Sequence, residues 1–194
     1  MTQLAEETPT QEKKTLGFWI YLMTDCVLFA ALFATFAVLR GSTFGGPSGH
    51  DIFDLQFVLI ETMILLTSSF TAGLAILGAG RGFKKQTLLW LVVTFLLGAA
   101  FLTLELSEFS KLAAEGNSWT HSAFLSSYFT LVGTHGLHIA IGLLWLFVMI
   151  FRLWRFKFKK TDINRLALFG LFWHFLDVIW IFIFSIVYLI GGMA

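Results

Sequence analysis

Apolar residues run along this 194-residue chain in five blocks, about 17–39, 55–79, 87–109, 122–150 and 166–190, separated by short polar or glycine-bearing breaks. At about 1.5 Å per residue, each block coiled as a helix crosses a hydrocarbon core of about 30 Å. The fourth is longer than that core requires, so it should tilt or project beyond it. The pattern predicts an all-α integral membrane protein: a bundle of five transmembrane helices over residues 17–194, preceded by a polar, charge-mixed arm over residues 1–16. The first block is about twice the length of a signal-peptide core, carries Asp25 and is not followed by a small-residue cleavage site, so it reads as a retained helix. Almost no chain is left for a soluble catalytic domain, and any chemistry has to take place within the membrane.

Composition agrees, with 57% hydrophobic, 17% aromatic and only 13% charged residues. Cys26 is the single cysteine, which excludes an internal disulfide and any two-thiolate copper or zinc site within the chain. Charge then orients the bundle. Lys13 and Lys14 precede the first block, Arg81, Lys84 and Lys85 lie in the second loop, and Arg152, Arg155, Lys157, Lys159, Lys160 and Arg165 fill or border the fourth. The opposite loops carry Arg40 and Lys111 against Asp51, Asp54 and Glu115. The positive-inside rule places the N-terminus in the cytoplasm and the C-terminus in the periplasm. The basic-aromatic run RLWRFKFKK from Arg152 would invite a nucleic-acid reading in a soluble chain; beside a membrane it is a headgroup-facing loop, and no nucleic-acid partner is expected.

Ionisable residues inside the apolar blocks are the candidate functional groups, because their burial in lipid is costly. Counted from the helix ends, Asp25, His135, His174 and Asp177 share a stratum about 10–17 Å from the cytoplasmic edge. Glu61 lies nearer the outer side, and Glu105 and Glu108 approach the outer interface. Residues three apart share a helix face, which pairs His135 with His138, His174 with Asp177 and Glu105 with Glu108. A di-iron site needs Glu-x-x-His pairs and further glutamates at one level, whereas this Glu pair sits well above the histidines. Two histidines at similar depth on different helices are also compatible with axial haem ligation. Interhelical polar contacts are the simpler account, with Gly133 and Gly136 around His135 marking close packing. Small residues four apart, as in Ala30 and Ala34, Ser68 and Ala72, or Ser69 and Gly73, mark further close-approach faces. No internal repeat is evident, and five helices do not divide into the matched halves common in transporters. A haem-ligating anchor subunit of a dehydrogenase and a small proton-coupled transporter using Asp25 and His174 stay open at this point.

The runs GFWIYLMTDCVLFAALFATFAVL from Gly17, ELSEF from Glu105, LVGTHGLHIAIGLLW from Leu131 and LFWHFLDVIWIFIFSIVYLIGG from Leu171 closely resemble subunit III of the haem-copper terminal oxidases, and most closely its five-helix form in the cytochrome o (bo3-type) ubiquinol oxidase branch. The resemblance covers nearly everything after the polar arm. It implies an accessory subunit with no catalytic, metal-binding or cofactor-binding residue of its own, haem and copper being held by partner subunit I. The partners it implies are the other oxidase subunits and membrane lipids, with ubiquinol used by the complex. It further implies a place in the inner (plasma) membrane of a bacterium, stabilisation of subunit I and support of proton uptake. His135, His138, His174 and Asp177 match the family motifs, as does Glu108 in its Ser-Glu pair. Asp25 stands where many relatives have a buried glutamate, one methylene longer. Glu61 and Glu105 are not common features of the wider family, so the resemblance assigns them no role. The first two helices of seven-helix members have no counterpart here, and their lipid-binding features do not carry over.

Overall fold

The computed structural model describes residues 2–43, 54–116, 119–157 and 159–191, with the backbone alone described for residues 2–11 and for Lys160. Asp51, which entered the charge argument, lies outside the described residues. The chain forms α1 (Thr2–Leu39), α2 (Leu55–Gly80), α3 (Lys84–Ala114), α4 (Ala123–Arg155) and α5 (Lys160–Ile183), the last running on into a π-helical turn, Phe184–Ile190. No strand occurs among the described residues, and all five helices are long and apolar enough to cross a membrane. The helix of the first block begins within the polar arm, so residues 2–16 continue α1 rather than forming a separate coil.

Local chemistry sets the breaks. Asp54 caps α2, its carboxylate accepting from the backbone N–H groups of Gln56 and Phe57 at 3.0 and 3.3 Å. Ser122 caps α4 through Leu125 N–H at 3.1 Å. The turn between α2 and α3 is three residues long and closes through Gly82 at φ +76°, a left-handed conformation that a side chain would disfavour. At the start of the π-helical turn, the Ser185 hydroxyl donates to the Ile181 carbonyl at 2.8 Å and competes with the backbone for that acceptor. The wider turn brings both Val187 and Tyr188 inward, where each is fully buried.

Helices α2, α3, α4 and α5 pack in a ring, and α1 lies outside it against α4 and α5. Among the described side chains of α1, a narrow seam of Leu22, Asp25, Phe29 and Phe36 is covered, while Trp19, Ile20, Met23 and Val27 face outward. Within the ring, α2 presents small residues, Ser68, Ala72, Ala75 and Ala79, to its neighbours, and this lets the backbones approach closely. Trp173 of α5 fills the centre. Its indole edge lies so close to Gly98 of α3 and Gly142 of α4 that an added Cβ would come within 2.9 and 2.8 Å of it, respectively. Its Nε1–H donates to the Ser68 hydroxyl at 3.2 Å, and that hydroxyl donates to the Thr94 carbonyl of α3 at 3.2 Å. One side chain thereby ties α5 to α2, α3 and α4.

Candidate functional site

The ionisable residues that depth placed in one stratum are divided among three environments. Asp25 sits in the covered seam of α1 with its carboxylate 3.8 Å from His138 Nε2 on α4. The Nδ1 of His138 lies 2.7 Å from the Thr134 carbonyl, which can only accept, so Nδ1 carries a proton and the ring is oriented with Nε2 toward Asp25. Phe29, one turn beyond Asp25, packs beside the same imidazole at a ring-centroid distance of 5.3 Å. This pair is a polar contact between the peripheral helix and the ring.

His135 does not join it. Three residues before His138 on α4, it is completely buried, stacked on Trp180 with centroids 5.2 Å apart and met by Phe29 and Phe101 at 6.4 and 6.1 Å. Neither ring nitrogen has a hydrogen-bond partner among the described protein atoms. Trp180 is itself held by its Nε1–H, which donates to Thr62 of α2 at 3.0 Å, and by the edge of Phe101 at 4.7 Å.

The third environment lies between α2 and α5. His174 Nδ1 shares a hydrogen bond with the Ser69 hydroxyl, and the Asp177 carboxylate stands 3.8 Å from the same nitrogen, one turn along α5. Asp177 is buried, but the His174 side chain is 48% exposed, so part of the imidazole faces out of this chain. An imidazole on an outward surface of a membrane helix is costly in lipid and is accommodated by neighbouring protein. Asp25, His135, His174 and Asp177, which share a stratum, are thus divided among an α1–α4 contact, an aromatic-walled histidine and an α2–α5 contact. His135 and His138, paired by phase, both meet Phe29, but only His138 turns on to Asp25, while His135 stacks on Trp180.

Glu108 lies toward the opposite end of α3, where the Tyr188 hydroxyl reaches it at 3.5 Å and Tyr128 of α4 meets Tyr188 at 3.0 Å. Glu61 and Glu105 are fully buried at this end. Among the described residues no three His, Cys, Asp or Glu side chains are grouped as a metal-ligand set. Sequence reasoning missed Ser69, Tyr128, Tyr188 and the two tryptophans as partners. Trp173 and Trp180 carried a legible signal, seven residues apart on one face of the motif that also holds His174 and Asp177. Ser69 was legible only as a small packing residue.

At the end that carries the basic residues, Asp162 closes the α4–α5 connection. Its carboxylate accepts from Arg152 Nε at 2.9 Å and from the Lys159 backbone N–H at 3.0 Å. Lys84 of α3 donates to the Phe156 carbonyl at 2.8 Å and ties the neighbouring turn to the same end. These contacts engage part of the positive charge in holding the loops together.

The family profile described as cytochrome c oxidase subunit III matches residues 4–192. The chain is 57% identical over 177 residues to the cytochrome bo(3) ubiquinol oxidase subunit 3 of Pseudomonas aeruginosa, covering 91% of this chain and 85% of that one. It is 45% identical over 185 residues to the protein of the same name from Buchnera aphidicola, covering 95% of each. It is also 45% identical over 180 residues to the cytochrome c oxidase subunit 3 of Bacillus sp. PS3, covering 93% of this chain and 87% of that one. With the match spanning all five membrane helices and every paired motif, the chain belongs to the cytochrome c oxidase subunit III family.

Proposed function

We propose that this chain is the accessory subunit III of a cytochrome bo3-type ubiquinol oxidase, holding no redox centre and packing against the subunit that carries haem and copper. The observation that carries the proposal is the 57% identity to the Pseudomonas aeruginosa subunit over nine-tenths of the chain. The geometry supports it, because the histidines serve as interhelical contacts. A haem-ligating anchor would need His135 and His174 to present nitrogens to a common space. Here His135 is walled by Phe29, Phe101 and Trp180, and His174 turns toward Ser69. A transporter reading has no matched helix halves to build on.

In this reading the basic end faces the bacterial cytoplasm by the positive-inside rule, and the protein resides in the inner membrane. The Asp25–His138 contact then lies in the cytoplasmic half, on the side from which protons enter, and supports uptake by keeping α1 seated on α4. The half-exposed His174 and the apolar outer faces of α1 and α4 are surfaces for partner subunits and lipid. Ubiquinol as donor follows the bo3-type relatives, while the cytochrome c oxidase relative at 45% identity shows how similar subunits III of other oxidases are.

The test is gentle purification of the tagged chain from its host membrane, with identification of co-purifying subunits, a reduced-minus-oxidised haem spectrum, and oxygen consumption with ubiquinol or with cytochrome c. The expected result is an oxidase that uses ubiquinol and whose haem signal follows the partner subunit. A haem spectrum that stays with the separated chain would instead establish the anchor reading.

A further inference from the structure

The end of the bundle opposite the basic loops holds a second polar constellation, and the oxidase reading gives it no work. Four helices contribute to it: Glu61 from α2, Glu105 and Glu108 from α3, Tyr128 from α4 and Tyr188 from the π-helical turn after α5. Glu61 and Glu105 are 0% and 1% exposed, and none of their four carboxyl oxygens has a hydrogen-bond partner among the described protein atoms. Glu105 is within electrostatic reach of both Glu61 and Glu108. Tyr188 and Tyr128 bond each other, and Tyr188 reaches Glu108, which is only partly buried and so stands between the interior and the surface. The other charged groups acting on Glu108 are Asp54, at the start of α2, and Lys111, one turn further along α3.

Buried polar atoms in folded proteins are satisfied almost without exception, by protein or by internal water. A carboxyl group has two oxygens to satisfy, and Glu61 and Glu105 lie near one another without bonding directly. The stripe of α3 that carries Glu105 meets glycines of α4. Leu102, Glu105 and Phe109 form one stripe of α3, and opposite its ends α4 has Gly136 and Gly133 in place of side chains. A Cβ added at Gly133 would meet only Phe109 at 3.7 Å, and one added at Gly136 only Leu102 at 3.9 Å, so neither backbone is closed upon. The glycine notch flanks Glu105 above and below.

We propose that Glu61 and Glu105 bind internal water, and that this water connects them through Glu108 to the surface at the end opposite the basic loops, forming a site that exchanges protons with the aqueous phase. In each exchange step an O–H bond of the water breaks as a carboxyl O–H bond forms, and the water regains its proton from Glu108 or from the next water. One proton moves per step and no electrons are transferred. Tyr188 steadies the Glu108 carboxyl, and Tyr128 steadies Tyr188. The site is separate from the Asp25–His138 contact, which belongs to the opposite half of the bundle, and it does not depend on the identity of the electron donor.

The experiment is perfusion infrared spectroscopy of the chain in its native complex, comparing H2O with D2O and with H2(18)O for the wild type and for Glu61→Gln, Glu105→Gln and Glu108→Gln. The expected result is a water O–H band that shifts in H2(18)O and disappears in Glu61→Gln and Glu105→Gln. A carboxyl C=O band lost in Glu105→Gln should shift in D2O at least tenfold more slowly in Glu108→Gln than in wild type. A water band unchanged by both buried-site variants overturns the water site. Deuterium exchange unchanged in Glu108→Gln overturns the route. Where a buried-site variant fails to assemble, Gly133→Val keeps the test decisive: it fills the notch with all carboxyls in place and should remove the water band, and retention of that band would count against the proposal.

Discussion

Replacing Gly142 by alanine should loosen the bundle at its centre, and the size of the effect follows from the position of Trp173. The new Cβ would lie 2.8 Å from Trp173 Cζ3 and 3.0 Å from Phe172 Cε1, whereas carbon atoms settle at about 3.5–4.0 Å. The indole would have to withdraw by the better part of an ångström. Retreat is blocked on the other side by Gly98, whose own Cβ position is 2.9 Å from Trp173 Cζ2, and the Nε1 bond to Ser68 resists rotation. Overpacking of this kind costs roughly 1–3 kcal/mol. Alanine returns about 0.5–1 kcal/mol of helix preference. The net loss is then about 1–2 kcal/mol, on the order of tenfold in a folding equilibrium. Gly73→Ala is the control: nothing lies within 4 Å of its Cβ position, so it should be neutral or slightly stabilising. The assay is retention of the subunit in the purified complex across a denaturing-detergent titration. In a Trp173→Phe background the outer indole atoms are gone, and Gly142→Ala should cost at least about 1 kcal/mol less, a coupling that a double-mutant cycle resolves. Equal effects of Gly142→Ala and Gly73→Ala, or an unchanged cost in the phenylalanine background, would refute the clamp.

Three further outcomes are expected. Asp25→Asn should leave assembly intact, because asparagine keeps the shape and hydrogen-bonding capacity facing His138; an oxidase that fails to assemble would instead reveal an obligatory charge pair. Ser69→Ala and His174→Ala each remove the Ser69–His174 bond, one of three between α2 and α5 among the described residues, and should reduce subunit retention by about 0.5–1.5 kcal/mol, while the haem spectrum of the surviving complex stays unchanged. A haem band lost from that complex would contradict the accessory role. Asp162→Asn weakens both contacts that close the α4–α5 connection, and because Arg152 is partly solvated the cost should be only about 1 kcal/mol, read as faster proteolysis of that loop.

Much of the fold was written along the chain in one dimension. Length and apolarity of a block need no neighbour to be read, so the five membrane helices, the polar breaks between them and the small-residue faces of α2 followed from sequence. Depth was legible too, and the separation of the glutamates from the histidines along the helix axes followed from counting residues. What counting could not supply was the azimuth of each helix and the identity of the helix covering each face. Residues three apart are about 60° apart around the axis, enough for His135 to turn into an aromatic box while His138 turns to Asp25 on α1. For the same reason His174 met Ser69 rather than Asp25, and Trp173 and Trp180 became hydrogen-bonded ties from α5 to α2. The π-helical turn was equally invisible, since it arises where Ser185 takes a carbonyl from the backbone, and it places Tyr188 beside Glu108. The sequence by itself determined which residues are costly to bury and how deep each lies; only the tertiary packing decided which of them meet, because that depends on helix rotation and neighbour order rather than on position along the chain.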